Sequence, residues 1–134
     1  MRKAVITGRR SPRPLPGAVY SPGIKVQGAG TLVFVSGHTS RDPRTGRVLH
    51  RGDIKGQTRQ ALQNVRAVLE AAGAGMSDVV KVTVFVTNLR RHFEAIHEVR
   101  QEFFAKDFPA STMVEIKGLS DPALMIEIDA VAVR

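Results

Sequence analysis

Glu127 and Asp129 sit two residues apart in the run Met125-Ile126-Glu127-Ile128-Asp129-Ala130. In an extended chain that spacing turns both carboxylates to one face, together with Met125 and Val131. Acids on a face that also carries apolar side chains are costly unless they are paired or used. A carboxylate so placed is a candidate general acid or base; the structural alternative is an arginine partner across a subunit interface. A second cluster is His97 and Arg100, four residues beyond Phe93 and Ile96, on the edge of an apolar helix face. His97 either satisfies a nearby carbonyl or does chemistry. Arg100 either lays its stem over the core or offers a donor to a ligand. The third is Ser36-Gly37-His38, which closes an apolar run. Backbone amides become free at a strand end, and Gly37 lets a ligand come close to the main chain, unless the segment is a simple strand exit.

Composition narrows the chemistry. The 134 residues suit one domain spanning 1–134, with 43% hydrophobic and 24% charged residues. There is no cysteine, which removes thiolate nucleophiles, disulfides and cysteine-ligated metals. The four histidines lack the spacing of a helical metal site, so neither metal nor cofactor is expected. No apolar run reaches the ~18–20 residues of a membrane helix. Met1-Arg2-Lys3 is followed by no signal-type apolar stretch, so a cytoplasmic protein is expected. The net charge of +8 is lopsided: residues 1–51 carry ten Lys/Arg against a single acid, Asp42. Such a patch either binds phosphates in a salt-sensitive way or keeps the protein soluble. The only aromatics there are Tyr20 and Phe34, too few for a base-stacking platform.

The elements that must position these clusters follow from periodicity. Ser11 to Gly17 is a proline-stiffened connection leading to Tyr20. Thr31 to Gly37 reads as a strand buried on both faces, and Asp42-Pro43-Arg44-Thr45-Gly46 as a turn. Asp53 caps a helix whose apolar positions include Ile54, Ala61, Leu62, Val65 and Leu69, and Gly73 closes it. Val79 to Thr87 is a strand with Val80, Val82, Val84 and Val86 on one face. A second helix runs from about Arg90 to Ala105, stopped by Phe108-Pro109. Strands at Ser111–Lys117 and Leu124–Val133 end the chain. Two helices cannot cover both faces of such a sheet, so an α+β layer is expected with both on one face. The apolar residues of the other face suggest a partner subunit.

Taken together, Tyr20-Ser21, Leu32-Val33-Phe34-Val35-Ser36-Gly37, Asp42-Pro43-x-Thr45-Gly46, Gln57-Thr58-Arg59-Gln60-Ala61-Leu62-x-Asn64, Asp78 to Phe85, Phe108-Pro109-Ala110 and Ile126-Glu127-Ile128 resemble the reactive-intermediate deaminase (RidA/YjgF) family. The resemblance covers about Tyr20 to Val133. It implies a chorismate-mutase-like subunit, a homotrimer joined through its sheets, and ligand clefts between neighbours. It also implies hydrolysis of reactive imines and enamines such as 2-aminoacrylate to 2-oxo acids and ammonia. A glutamate of the closing strand, here Glu127, positions water in such a site. Tyr20, Ser36 and Gly37 match its pocket, and His97, Ser111 and Met113 fall at further pocket positions.

One departure touches the ligand directly. The family clamps its substrate carboxylate with an arginine in a Pro-Ala-Arg-Ser motif, whereas this chain reads Pro109-Ala110-Ser111-Thr112. Losing one member of a desolvated charge pair costs ~2–5 kcal/mol, roughly 30- to 5,000-fold in affinity. His97 or Arg100 is the candidate substitute donor. The sequence therefore predicts a divergent imine or enamine hydrolase whose substrate differs from simple 2-aminoacrylate. A non-catalytic metabolite-binding trimer is one alternative. The other is the RNA cleavage and translation inhibition also associated with the family, to which the basic first third lends weak support.

Overall fold

The computed structural model describes residues 2–28 and 30–134. Two short strands, β1 (Arg2–Val5) and β2 (Ile24–Gln27), pair antiparallel beside the main body. The main sheet has four strands in the order β3-β6-β4-β5, formed by β3 (Leu32–His38), β4 (Val79–Val86), β5 (Ala110–Glu115) and β6 (Ile126–Val133). β6 runs antiparallel to β3 and β4, and β5 runs parallel to β4. The parallel pair needs a crossover, and helix α2 (Leu89–Phe103) supplies it. Helix α1 (Ile54–Ala71) links β3 to β4 through a 3-10 turn at Met76–Asp78.

Both helices lie on one face of the sheet. α1 begins where an N-cap is available: the Asp53 carboxylate accepts from the Gly56 amide at 3.0 Å. Gly73 follows its C-cap at φ 79°, the left-handed geometry that glycine takes without strain. Leu62, Val65 and Leu69 of α1 and Ile96 and Val99 of α2 close over Val82, Val84, Ile126 and Ile128. The fold is the chorismate-mutase-like α+β layer expected from the sequence.

Three local expectations are corrected. In β4, Val79 rather than Val80 enters the core, because a register shift between Val79 and Lys81 inserts a residue against β6. α2 stops at Phe103, short of Ala105, because Phe104 turns extended and buries its own ring. β3 is not buried on both faces: Val35 is in the core, but Leu32 is 57% and Phe34 74% exposed. These side chains face away from the helices on an open sheet surface shared with Val131, Phe85 and Val114.

Gln57 ties α1 to the start of the closing strand. This fully buried side chain donates Nε2–H to the Ala123 carbonyl at 2.8 Å, and its Oε1 accepts from the Met125 amide at 2.9 Å. Asn64, two turns further along the same face of α1, donates to the carbonyls of Thr39 and Arg41 at 3.0 and 2.8 Å. Between them the two amides fix the segments that enter β6 and leave β3.

Candidate functional site

The candidate residues fall into two groups at opposite edges of the sheet. On the β3 side, β6 turns Glu127 to the open face, next to Phe85 in register. Its carboxylate lies across the backbone of Gly37, where a Cβ would come within 2.7 Å of Oε2. Only glycine leaves that space. The pair borders a groove of about 700 Å³ shared with His38, Thr39, Asn64 and Ser120. The turn at 42–46 forms one wall, held by Asp42, whose carboxylate accepts from the amides of Thr45 at 2.8 Å and Arg44 at 2.9 Å.

Glu127 and Asp129 do share a face, but their situations differ. Asp129 accepts the Thr83 amide at 3.0 Å, beside the register shift of β4, and so has a structural role. Glu127 joins none of the ion pairs among the described residues.

On the β5 edge, Tyr20, His97, Arg100, Ser111 and Met113 meet around a cavity of about 340 Å³, within the range of small-molecule pockets. The register Val82↔Ser111 and Val84↔Met113 turns Ser111 and Met113 toward α2. The segment bearing Tyr20 is docked on β5 by Ser21, whose amide donates to the Pro109 carbonyl at 3.0 Å and whose hydroxyl reaches the Phe108 carbonyl. The Tyr20 hydroxyl accepts from the Leu15 amide at 3.3 Å, folding the 15–19 loop over the cavity mouth. His97 stacks on Phe93 with centroids 6.5 Å apart.

Arg100, offered by the sequence either as a stem over the core or as a substitute donor, lies at this cavity. It is 5% exposed, on the core-facing stripe of α2 beside Ile96 and Val99. It neither snorkels to solvent nor pairs with any described carboxylate. Its Nη2 donates to Ser111 Oγ at 2.9 Å. Burial pushes its pKa down to about 10, so it is a cation at neutral pH. A guanidinium from α2 thus meets Ser111 of β5.

Ser36 is exposed on the open face of β3 and lines neither cavity. Residues not singled out as ligand-facing also appear: Phe93 and the 15–19 loop at the β5 edge, Asn64 and Ser120 at the β3 edge. Asn64 carried a sequence signal, as a polar residue on the apolar face of α1.

The two groups cannot serve one small substrate within a single chain. Glu127 and Ser111 stand two strands apart, roughly 10 Å by the usual strand spacing, and on opposite faces of the sheet. A base at one edge and donors at the other make one site only when two copies bring unlike edges together.

The fold is a layered α+β subunit with a candidate residue group toward each sheet edge. Residues 11–134 match the family described as Endoribonuclease L-PSP, and the chain belongs to that family, which includes the reactive-intermediate deaminases (RidA/YjgF). It is 42% identical over 132 residues to a RutC family protein of Pyrococcus horikoshii, covering 98% of each chain. It is 39% identical over 120 residues to the 2-iminobutanoate/2-iminopropanoate deaminase of Salmonella typhimurium, covering 87% of this chain and 91% of the relative. Among solved structures, a Rid family protein of Yersinia pestis superposes over 100% of both chains with a TM-score of 0.88 at 27% identity.

Proposed function

We propose that this protein hydrolyses small imines or enamines derived from amino acids to 2-oxo compounds and ammonia, at clefts between the copies of a homotrimer. The observation that carries this reading is the unpartnered Glu127 carboxylate poised over Gly37. The deaminase named above, alike over most of its length, supports it. So do the exposed Leu32 and Phe34 on the open sheet face, since large apolar side chains of this kind are what an oligomer covers.

In this scheme Glu127 takes a proton from water as the oxygen bonds to the iminium carbon, giving a carbinolamine. The protonated Glu127 then returns that proton to nitrogen. The C–N bond breaks with its electron pair leaving on nitrogen as ammonia. The hydroxyl gives its proton to the Glu127 carboxylate, and from there to solvent, and the freed oxygen pair closes the carbonyl. Donors of the neighbouring copy's β5 edge, Tyr20, His97 and Ser111, hold the rest of the molecule. General acid–base assistance of this kind contributes ~10²–10⁴-fold.

Ammonia release from imines generated in place by a dehydratase or an amino-acid oxidase tests the proposal. Wild type should outpace Glu127→Ala by roughly 10²–10⁴. Equal rates for the two proteins, both above background, would remove Glu127 from the mechanism. Tight metabolite binding without product would point to a non-catalytic trimer instead.

A further inference from the structure

Resting on that reading, we infer that Arg100 is the anion-binding residue of this protein: the anchor for a substrate carboxylate has moved from the β5 position, now Ser111, to helix α2. Three observations converge. First, a guanidinium in the apolar layer is costly unless something compensates its charge, and no described carboxylate lies within ion-pair distance. Second, the side chain has one recorded partner, Ser111 Oγ, yet no buried side-chain nitrogen among the described residues lacks a partner. Its other nitrogens must therefore reach open space, and the space beside them is the cavity that Arg100 lines. Third, Ser111 Oγ accepts from Nη2 on the wall of the cavity that both residues line, which holds that end of the guanidinium at the cavity.

The cavity also defines the ligand. Leu15, Val19, Phe93 and Met113 are its apolar walls, with His97 the other basic group; Glu94, the only acid, is exposed at its rim. This suits a small monocarboxylate with an apolar body. A guanidinium holds a carboxylate through two parallel hydrogen bonds, which a point charge does not reproduce. With the fork approaching from α2 rather than from β5, the ligand's remaining atoms are directed differently toward Glu127 of the adjoining copy.

Calorimetric binding of 2-oxobutanoate and of its methyl ester separates charge recognition from structure. Arg100→Gln should weaken the acid at least ~30-fold and leave the ester within about threefold. Arg100→Gln/Ser111→Arg, which returns the fork to β5, should recover most of the loss. In wild type, the Arg100 Nε–H resonance should shift on titration with the acid and not with the ester, a readout needing no variant. Acid affinity unchanged in Arg100→Gln, or an unmoved resonance at saturation, overturns the assignment. Arginine-dependent binding with no ammonia release from any imine would leave the anchor standing and remove the hydrolase reading.

Discussion

The Glu127 carboxylate rests on the main chain of Gly37, so close that a methyl group there would be 2.7 Å from Oε2. A residue of β6 and a residue of β3 thereby define one position in space. The backbone supplies a floor, and the acid lies across it without an ion-pair partner among the described residues. Gly37→Ala tests this contact. It should displace the carboxylate and reduce kcat by at least ~10-fold, while the thermal midpoint moves little, because Gly37 is exposed. Unchanged turnover would show that the position of Glu127 over Gly37 does not matter to the reaction.

Gln57 acts at one remove. Gln57→Ala leaves the Ala123 carbonyl and the Met125 amide without their buried partner. Each unsatisfied group costs ~1–3 kcal/mol, so urea unfolding should show a loss of about 2–6 kcal/mol. A smaller loss, below about 1 kcal/mol, would mean that water replaces the amide.

The turn beside Glu127 carries a pH signature. Backbone amides of Thr45 and then Arg44 hold the Asp42 carboxyl below its ordinary value of 3.8. A carboxyl depressed in the folded state stabilises fully above its unfolded value, and the contribution fades as pH falls through the folded value. Asp42→Asn should therefore be less stable than wild type at pH 6, and the gap should close as the pH is lowered below about 3.8. A gap of constant size down to pH 2 would assign the effect to the hydrogen bonds alone.

Much of the scaffold is legible in the residues. Asp53 and Gly73 bracket α1 because a cap acceptor and a left-handed residue act locally. The strand alternation of 125–131 turns Glu127 and Asp129 to one face for the same reason. What escapes depends on pairing. The displacement of Val80 from the core arises from a β4–β6 register that no local pattern encodes. The exposure of Phe34 reflects which face of the sheet the helices cover, which its apolar run does not encode. Arg100 has helical spacing on the apolar stripe, but its contact with Ser111 exists only because the α2 crossover lays β5 parallel to β4. The short β1–β2 pair joins segments about 20 residues apart with too few alternating positions to announce it.

The central claim is that one active site is built from the Glu127 edge of one copy and the β5 edge of the next. Subunit complementation tests it most directly. Glu127→Ala removes the base, and Ser111→Trp fills the cavity between β5 and α2; each protein alone should be inactive toward imines. Mixed in equal amounts and allowed to exchange subunits, they should recover about a quarter of wild-type ammonia release, since a random ring leaves about one interface in four with both halves intact. Activity no higher than that of the separate variants, despite proven exchange, would contradict the account and confine the chemistry to a single chain.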